Sequence, residues 1–382
     1  MANPFRLECW NNITCSILHP DVIYFPNGLD GYNFWMVSTP YPDNFREQNF
    51  VHRTNDPASG WINIKTDKSP IFACNEVFPE WVFMADPDWL YIPAYGKFFL
   101  VCGPRTGGTI HSSALSVRNE DLTFHYSSDG ITWTHYKQGT SSINGNTGPI
   151  IVSGNDTDGR AWESSSGKSH IQYPTMIFEN GTFYLWYGDT SGNLDDAEDN
   201  GYTNQVGRIG MATFTWNNNT NTIENFTRYT GAYAGGAILE LAADATYWGG
   251  IGHIDVTRAT DGTYVMIGCR LKKSNNKEVI VRLTSTDKVT WGNQTLLIDA
   301  NNDAGNSWDD DHLYRSCYIQ DGFGNQVLLN GSAQVIYSAW SSSNRADIGI
   351  LTQGSFTTTY TYASTNTAVT ILKQQNKGIT FT

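Results

Sequence analysis

One pattern returns five times along the 382 residues, and it constrains the fold more than any other feature of the chain. Each copy opens with a polar or acidic residue leading into a short apolar strand. A Gly turn and a second strand rich in aromatics follow, and then a third strand, often ending in a turn that carries Trp. The first copy reads LHPDVIYF, GYNFWMVS and FVHRTNDPASGW; the second reads ADPDWLYI, GKFFLVCG and FHYSSDGITW. The third is QYPTMIF, GTFYLWYG and GRIGMATFTW, and the fourth is GHIDVTRA, GTYVMIG and VIVRLTSTDKVTW. The fifth is DHLYRSCYI, QVIYSAW and DIGILTQ.

The opening anchors Asp21, Asp86, Pro174, Asp255 and His312 lie 57 to 88 residues apart. That exceeds the roughly 40–50 residues of compact propeller repeats, so insertions between strands are expected. Three or four antiparallel strands repeated in this way predict a propeller blade, because radial closure protects the sheet edges. The fold expected is therefore all-β: a single-domain five-bladed β-propeller over residues 1–382, with blades at about 16–62, 83–134, 170–217, 250–292 and 309–352. The Thr-rich segment 353–382 either closes the ring or reaches towards a partner. A β-sandwich with irregular hairpins is the competing architecture.

Composition agrees with many short strands. Charged residues make up only 16%, while Gly (36), Tyr (20), Phe (18) and Trp (13) are plentiful. Aromatics fit a pleated surface, and Gly and Asn tolerate positive φ in turns. The turn SSDGITW, Ser127 to Trp133, is echoed by STDKVTW, Ser285 to Trp291. In the first, Asp-Gly makes a tight hairpin turn and the Trp packs back on the blade. Trp89, Trp186 and Trp340 read as blade core rather than as sugar platforms.

Charge narrows the function classes. A net charge of -13 argues against a sequence-independent grip on nucleic acid or on anionic membrane. No stretch approaches the roughly 18 apolar residues of a membrane span. The start, MANPFRLECWNNITC, shows neither the basic n-region nor the apolar h-region of a secretory signal. Synthesis in a cytoplasm is expected, with a final place in a virion or outside the cell after lysis. Six cysteines, at 9, 15, 74, 102, 269 and 317, form no CxxC pair; Cys102 and Cys269 end apolar runs and read as buried thiols. Seven Asn-x-Ser/Thr triplets are read as a consequence of Asn/Thr-rich composition.

The repeat openings resemble the five-bladed propellers of the glycoside hydrolase family 43 and family 32 superfamily. The segment HPDVIYFPNGLDGYNFWMVSTPYP is also similar to the opening of propellers found among bacteriophage structural proteins. The resemblance implies a central funnel lined by acidic residues from the innermost strands, and carbohydrate as its ligand. Inverting hydrolysis there needs a base carboxylate and an acid carboxyl about 6.5–9.5 Å apart. By the resemblance the base maps onto Asp21, with Asp86 and Asp255 as further catalytic candidates. One of Asp86 and Asp88 is expected to face inward and the other to occupy a turn. No Glu stands at the family's acid position; Glu240 in AILELAAD and Glu163 in GRAWESSSG are the substitutes.

Asp88, His253, His312 and Arg315 are candidate ligand-binding residues, and His312 resembles a fifth-blade His near a central calcium. A second calcium pattern is Asp299, Asn301, Asp303 and Asp310, with oxygen ligands at alternate positions of a loop, although Ala304 replaces the expected Gly. The function expected is a glycan-directed propeller, virion-associated as a tail, fibre or receptor-binding protein, with weak or no hydrolase activity. Its partners would be carbohydrate and other virion proteins. The alternative is an active inverting glycosidase of the arabinofuranosidase or xylosidase type. The carboxylate set discriminates the two.

Overall fold

In the computed structural model, the described residues are 7–9, 13–41, 48–72, 81–106, 122–136, 150, 162, 164–165, 168–169, 171–189, 207–299, 308–309, 312–341, 345–352, 371–374 and 377–381. Among them no α-helix occurs, and the chain is all-β. Five antiparallel meanders follow one another along the sequence. The first runs Ile13–Leu29, Tyr32–Tyr41, Phe50–Thr54 and Ile62–Asn63. The second is Trp81–Ile92, Lys97–Thr106, Thr123–Ser127 and Thr134–His135. Ile171–Glu179, Thr182–Asp189, Gly207–Asn217 and Thr222–Arg228 make the third. Gly252–Arg258, Tyr264–Leu271, Glu278–Ser285 and Gly292–Asp299 make the fourth, and His312–Gln320, Ser332–Ser341 and Arg345–Thr352 the fifth.

The first strand of every meander is the innermost. It packs beside the first strands of the meanders before and after it, and the cycle closes when the fifth meets the first. That closure is a short parallel pairing of Val22 with Ile319 and Ile23 with Gln320. The terminal strands Ile371–Gln374 and Lys377–Phe381 pair only with each other, so the described part of the C-terminal segment takes no part in it.

Why the strands read as continuous apolar runs follows from this stacking. Each sheet has a neighbour on both faces, so alternation between a wet and a dry face is suppressed. Five apolar clusters fill the gaps, one between each pair of adjacent meanders. Ile23, Trp35 and Val37 of the first meet Met84, Trp89 and Phe98 of the second. Between fifth and first, Cys317, Ile319 and Ile348 meet Ile17, Val22 and Met36. Outermost strands are wetter: Leu296 on Gly292–Asp299 is 47% exposed. Trp89 and Trp186 are wholly buried, and so are Cys102, Cys269 and Cys317.

The repeated turns are the same structure built twice. Ser127 Oγ accepts the Gly130 amide at 2.9 Å, and Asp129 Oδ1 accepts those of Ile131 and Thr132 at 2.8 and 2.7 Å. Ser285 Oγ and Asp287 Oδ1 do the same for Lys288, Val289 and Thr290 at 2.9, 2.9 and 2.7 Å. The left-handed residue is Gly130 in one (φ 73°) and Lys288 in the other (φ 74°).

One face of the ring is stoppered. After the fifth inner strand, the loop Asp321 to Gln326 crosses the C-terminal ends of the second, third and fourth inner strands. Gly322 O, Phe323 O and Gly324 O accept the amides of Tyr91, Phe178 and Arg258 at 3.0, 2.9 and 2.9 Å. Only glycine fits against the second strand here, since a Cβ on Gly322 would lie 2.1 Å from the Tyr91 carbonyl oxygen. The opposite end of the axis, the mouth, lies at the N-terminal ends of the inner strands.

Candidate functional site

Five tripeptides occupy equivalent places on the inner strands: His19-Pro20-Asp21, Asp86-Pro87-Asp88, Tyr173-Pro174-Thr175, His253-Ile254-Asp255 and Tyr314-Arg315-Ser316. In the first four, the leading residue is left-handed, with φ of 52°, 52°, 56° and 48°. A non-glycine residue held there costs on the order of 1 kcal/mol. The strand pairing slips at all five places, as between Leu18 and Asp21 and between Ala85 and Asp88. Such a bulge re-aims side chains. The leading and third residues form two successive tiers around the axis.

The deeper tier is wholly buried and holds the ring together. Asp21 Oδ2 accepts the Trp89 amide at 2.8 Å, and Asp88 Oδ1 accepts that of Met176 at 2.9 Å. Thr175 Oγ1 accepts the Val256 amide at 2.9 Å, and Asp255 Oδ2 that of Tyr318 at 3.1 Å. Each of the first four inner strands thus offers an oxygen to the next inner strand. Gln320 Nε2 donates to Asp21 Oδ1 at 3.0 Å, tying fifth to first. Oxygens of Asp21, Asp88 and Asp255 lie within 4.8 Å of one another. Their cation is Arg315, itself wholly buried, with Nη2 3.6 Å from Asp88 Oδ2 and donating to Pro174 O at 3.2 Å.

Three carboxyls around one guanidinium do not all ionise easily. Burial pushes the Asp21 carboxyl up to about 6, against the Trp89 amide and Arg315, which favour its charge. Burial, with the charge of Asp21 added, raises Asp255 to about 8. Asp88 is raised well above the usual carboxylate range by burial and then by Asp21, with Arg315 opposing.

The tier nearer the mouth has different chemistry. His19 Nε2 and His253 Nδ1 lie 3.2 and 2.9 Å from the same oxygen, Asp86 Oδ1. His19 Nδ1 is 2.5 Å from Thr39 Oγ1 on the neighbouring strand. The two imidazoles stack at 5.2 Å, Tyr173 lies 4.3 Å from His253, and Tyr314 lies 3.9 Å from it. Tyr314 is only half-buried, which marks the side that meets solvent. Burial alone would raise the Asp86 carboxyl, yet His19, His253 and Arg315 hold it well below the usual range.

The structure therefore brings Asp21, Asp86, Asp88, Asp255, His253 and Arg315 together on the axis. Asp86 and Asp88 both face it, one in each tier; neither occupies a turn, because the left-handed Asp86 turns the strand inward. Glu240 stands elsewhere: it lies on Leu239–Leu241, which pairs with the third strand of its meander, and it is bonded to Arg208 Nε at 3.0 Å. Glu163 falls outside the described residues, as do Asn301, Asp303 and Asp310, while Asp299 is paired with Lys272 Nζ at 2.6 Å. His312 is bonded to Glu278, and the fifth strand presents Tyr314 at the mouth instead. Sequence reasoning passed over His19, Thr175, Tyr314 and Gln320. Aligning the five tripeptides by position would have found the first three.

Neither any family model nor any curated protein matches this chain in sequence. Solved structures do match in fold. An N-acetylgalactosamine deacetylase from F. plautii, in complex with blood group B trisaccharide, is 18% identical with a TM-score of 0.57, over 92% of this chain and 95% of that one. The catalytic domain of the Coprinopsis cinerea GH62 α-L-arabinofuranosidase is 14% identical with a TM-score of 0.56, over 92% and 98%. The Bombyx mori GH32 β-fructofuranosidase is 10% identical with a TM-score of 0.54, over 92% of this chain and 62% of that one. The fold is the propeller-like fold of such enzymes.

Proposed function

We propose that this chain is a carbohydrate-directed propeller that binds a glycan at the mouth formed by His19, Asp86, Tyr173, His253 and Tyr314. It does not cleave glycosidic bonds through Asp21. The observation that carries this reading is the state of the deeper tier. Asp21, Asp88 and Asp255 are wholly buried, accept backbone amides of neighbouring strands, and have oxygens within 4.8 Å. An inverting pair stands about 6.5–9.5 Å apart to leave room for water and the sugar between. Carboxyls committed to the ring's own hydrogen bonds offer neither the gap nor the access. The half-buried Tyr314 supplies a flat face for a sugar ring, above the buried His19, Asp86, Tyr173 and His253. Sugar ligands or sugar substrates named for the fold's solved neighbours support the ligand class. Placement in a virion, as a tail or fibre protein, is the part of the reading that rests on composition and on residues 19–42 alone.

A glycan array, together with aryl-arabinoside, xyloside and fructoside substrates, tests the reading. Binding without turnover is the expected result. Turnover that disappears in a folded Asp21→Asn variant would overturn the non-hydrolytic part. Absence of any glycan binding would overturn the whole.

A further inference from the structure

We propose that His19, Asp86 and His253 form a binding site for a divalent first-row transition metal, with Zn2+ as its simplest occupant. The three residues come from three different meanders, and each supplies one ligand atom within 4.8 Å of the others. Two imidazoles and one carboxylate suit zinc, manganese, iron or cobalt, whereas calcium and magnesium take oxygen donors. The donor set therefore points away from calcium.

Three further features of the structure fit such a site. Both ring nitrogens face a single carboxylate oxygen, at 3.2 and 2.9 Å, so a cation between them would satisfy all three groups at once. The outer nitrogen of His19 is held by Thr39 Oγ1, the kind of partner that fixes the tautomer and ring orientation of a metal-binding histidine. All three residues have left-handed backbones, at φ 52°, 52° and 48°, and all three side chains turn to one point on the axis. Conformations this sparsely populated cluster where surrounding structure holds a functional geometry in place.

Charge favours the same conclusion. Four buried aspartates, Asp21, Asp86, Asp88 and Asp255, face one buried guanidinium. Arg315 serves the deeper tier, bonded to Pro174 O and close to Asp88, and stands 3.9 Å from Asp86 Oδ1. Asp86 of the mouth tier meets that guanidinium only at this longer distance and otherwise faces the two imidazoles. A protein triad leaves a zinc ion room for a further ligand. That position would face the half-buried Tyr314 and the solvent. Water or the hydroxyls of a bound sugar could occupy it, and this last point alone rests on the carbohydrate reading above.

The test uses the whole chain, stripped with EDTA and then titrated with ZnCl2, MnCl2, CoCl2 and CaCl2. One equivalent of zinc is expected by calorimetry, with a thermal midpoint raised by about 3–5 °C when free metal is a hundredfold above Kd. Calcium should leave the midpoint unchanged. Cobalt should give visible d–d bands of a nitrogen- and oxygen-ligated ion, a signature that needs no variant. Asp86→Asn and His253→Gln should lose the zinc shift and the cobalt bands, while His312→Gln keeps both. Wild-type protein with neither a zinc shift nor cobalt bands would overturn the site, as would the same responses persisting in folded His253→Gln. Glycan binding by EDTA-stripped protein that takes up no metal would sink this inference alone. Metal uptake without any glycan binding would sink the carbohydrate reading alone.

Discussion

Two tiers of side chains line the axis, two residues apart on the same strands, and they do opposite work. Asp21, Asp88, Thr175 and Asp255 each accept the amide of the next inner strand, so their oxygens are part of the ring's closure. His19, Asp86 and His253 instead meet one another beneath the half-buried Tyr314. An acidic residue at the opening of a propeller repeat is therefore not by itself a catalytic one. Its place in the tripeptide decides whether it joins strands or faces the mouth.

The hardest way to break the comparison is Asp88→Ala. It leaves the Met176 amide without its acceptor in a wholly buried place and removes a carboxyl beside Arg315. A loss of about 3 kcal/mol or more is expected in denaturant unfolding, from a buried amide left without its acceptor and from the space the carboxyl leaves. A loss below about 1 kcal/mol would show that the deeper tier does not hold the ring.

Thr175→Val should cost less, about 1–3 kcal/mol, because it orphans the Val256 amide but disturbs no charge. The same measurement checks it. A neutral result would mean that the third strand's link is dispensable.

The gentlest probe is pH, applied to EDTA-stripped protein so that metal does not intervene. Asp21 and Asp255 are raised to about 6 and about 8 in the folded state, so it keeps protons that the unfolded chain has already lost. Stability should accordingly fall as pH rises from about 4 to 8, by up to about 1.4 kcal/mol per pH unit for each proton held. Asp86, held below the usual range, acts in the other sense, and its contribution is lost only in stronger acid. Asp255→Asn keeps an oxygen for the Tyr318 amide but has no charge to bury. It should flatten the decline and match or exceed the wild type at pH 8. An unchanged slope would show that Asp255 is ionised throughout.

Much of the fold was legible in the chain. The five openings, the second aromatic strands and the SSDGITW and STDKVTW turns all fall where meanders and their turns are seen. These are local signals, carried by residues a few places apart. The site was legible in part. Asp21, Asp86, Asp88, Asp255, His253 and Arg315 are residues the sequence singled out, and the structure places all six on the axis. Their division into tiers was not visible, because it depends on left-handed backbone at His19, Asp86 and His253. Glu240 misled for a related reason. A Glu near an apolar run says nothing about which strand of a meander will carry it, and this one pairs with Arg208 away from the axis.

By itself, then, the sequence determined the repeated meander, its turns and the acidic openings, since hydrophobic run, Gly turn and Asx chemistry act over neighbouring residues. Tertiary structure alone decided that Asp21 bonds Trp89, 68 residues on, and that His253 meets Asp86 across 167 residues. It also decided that the loop after the fifth strand would close the far end of the axis. Those contacts exist only once the ring has closed, and no short-range pattern encodes a partner that distant.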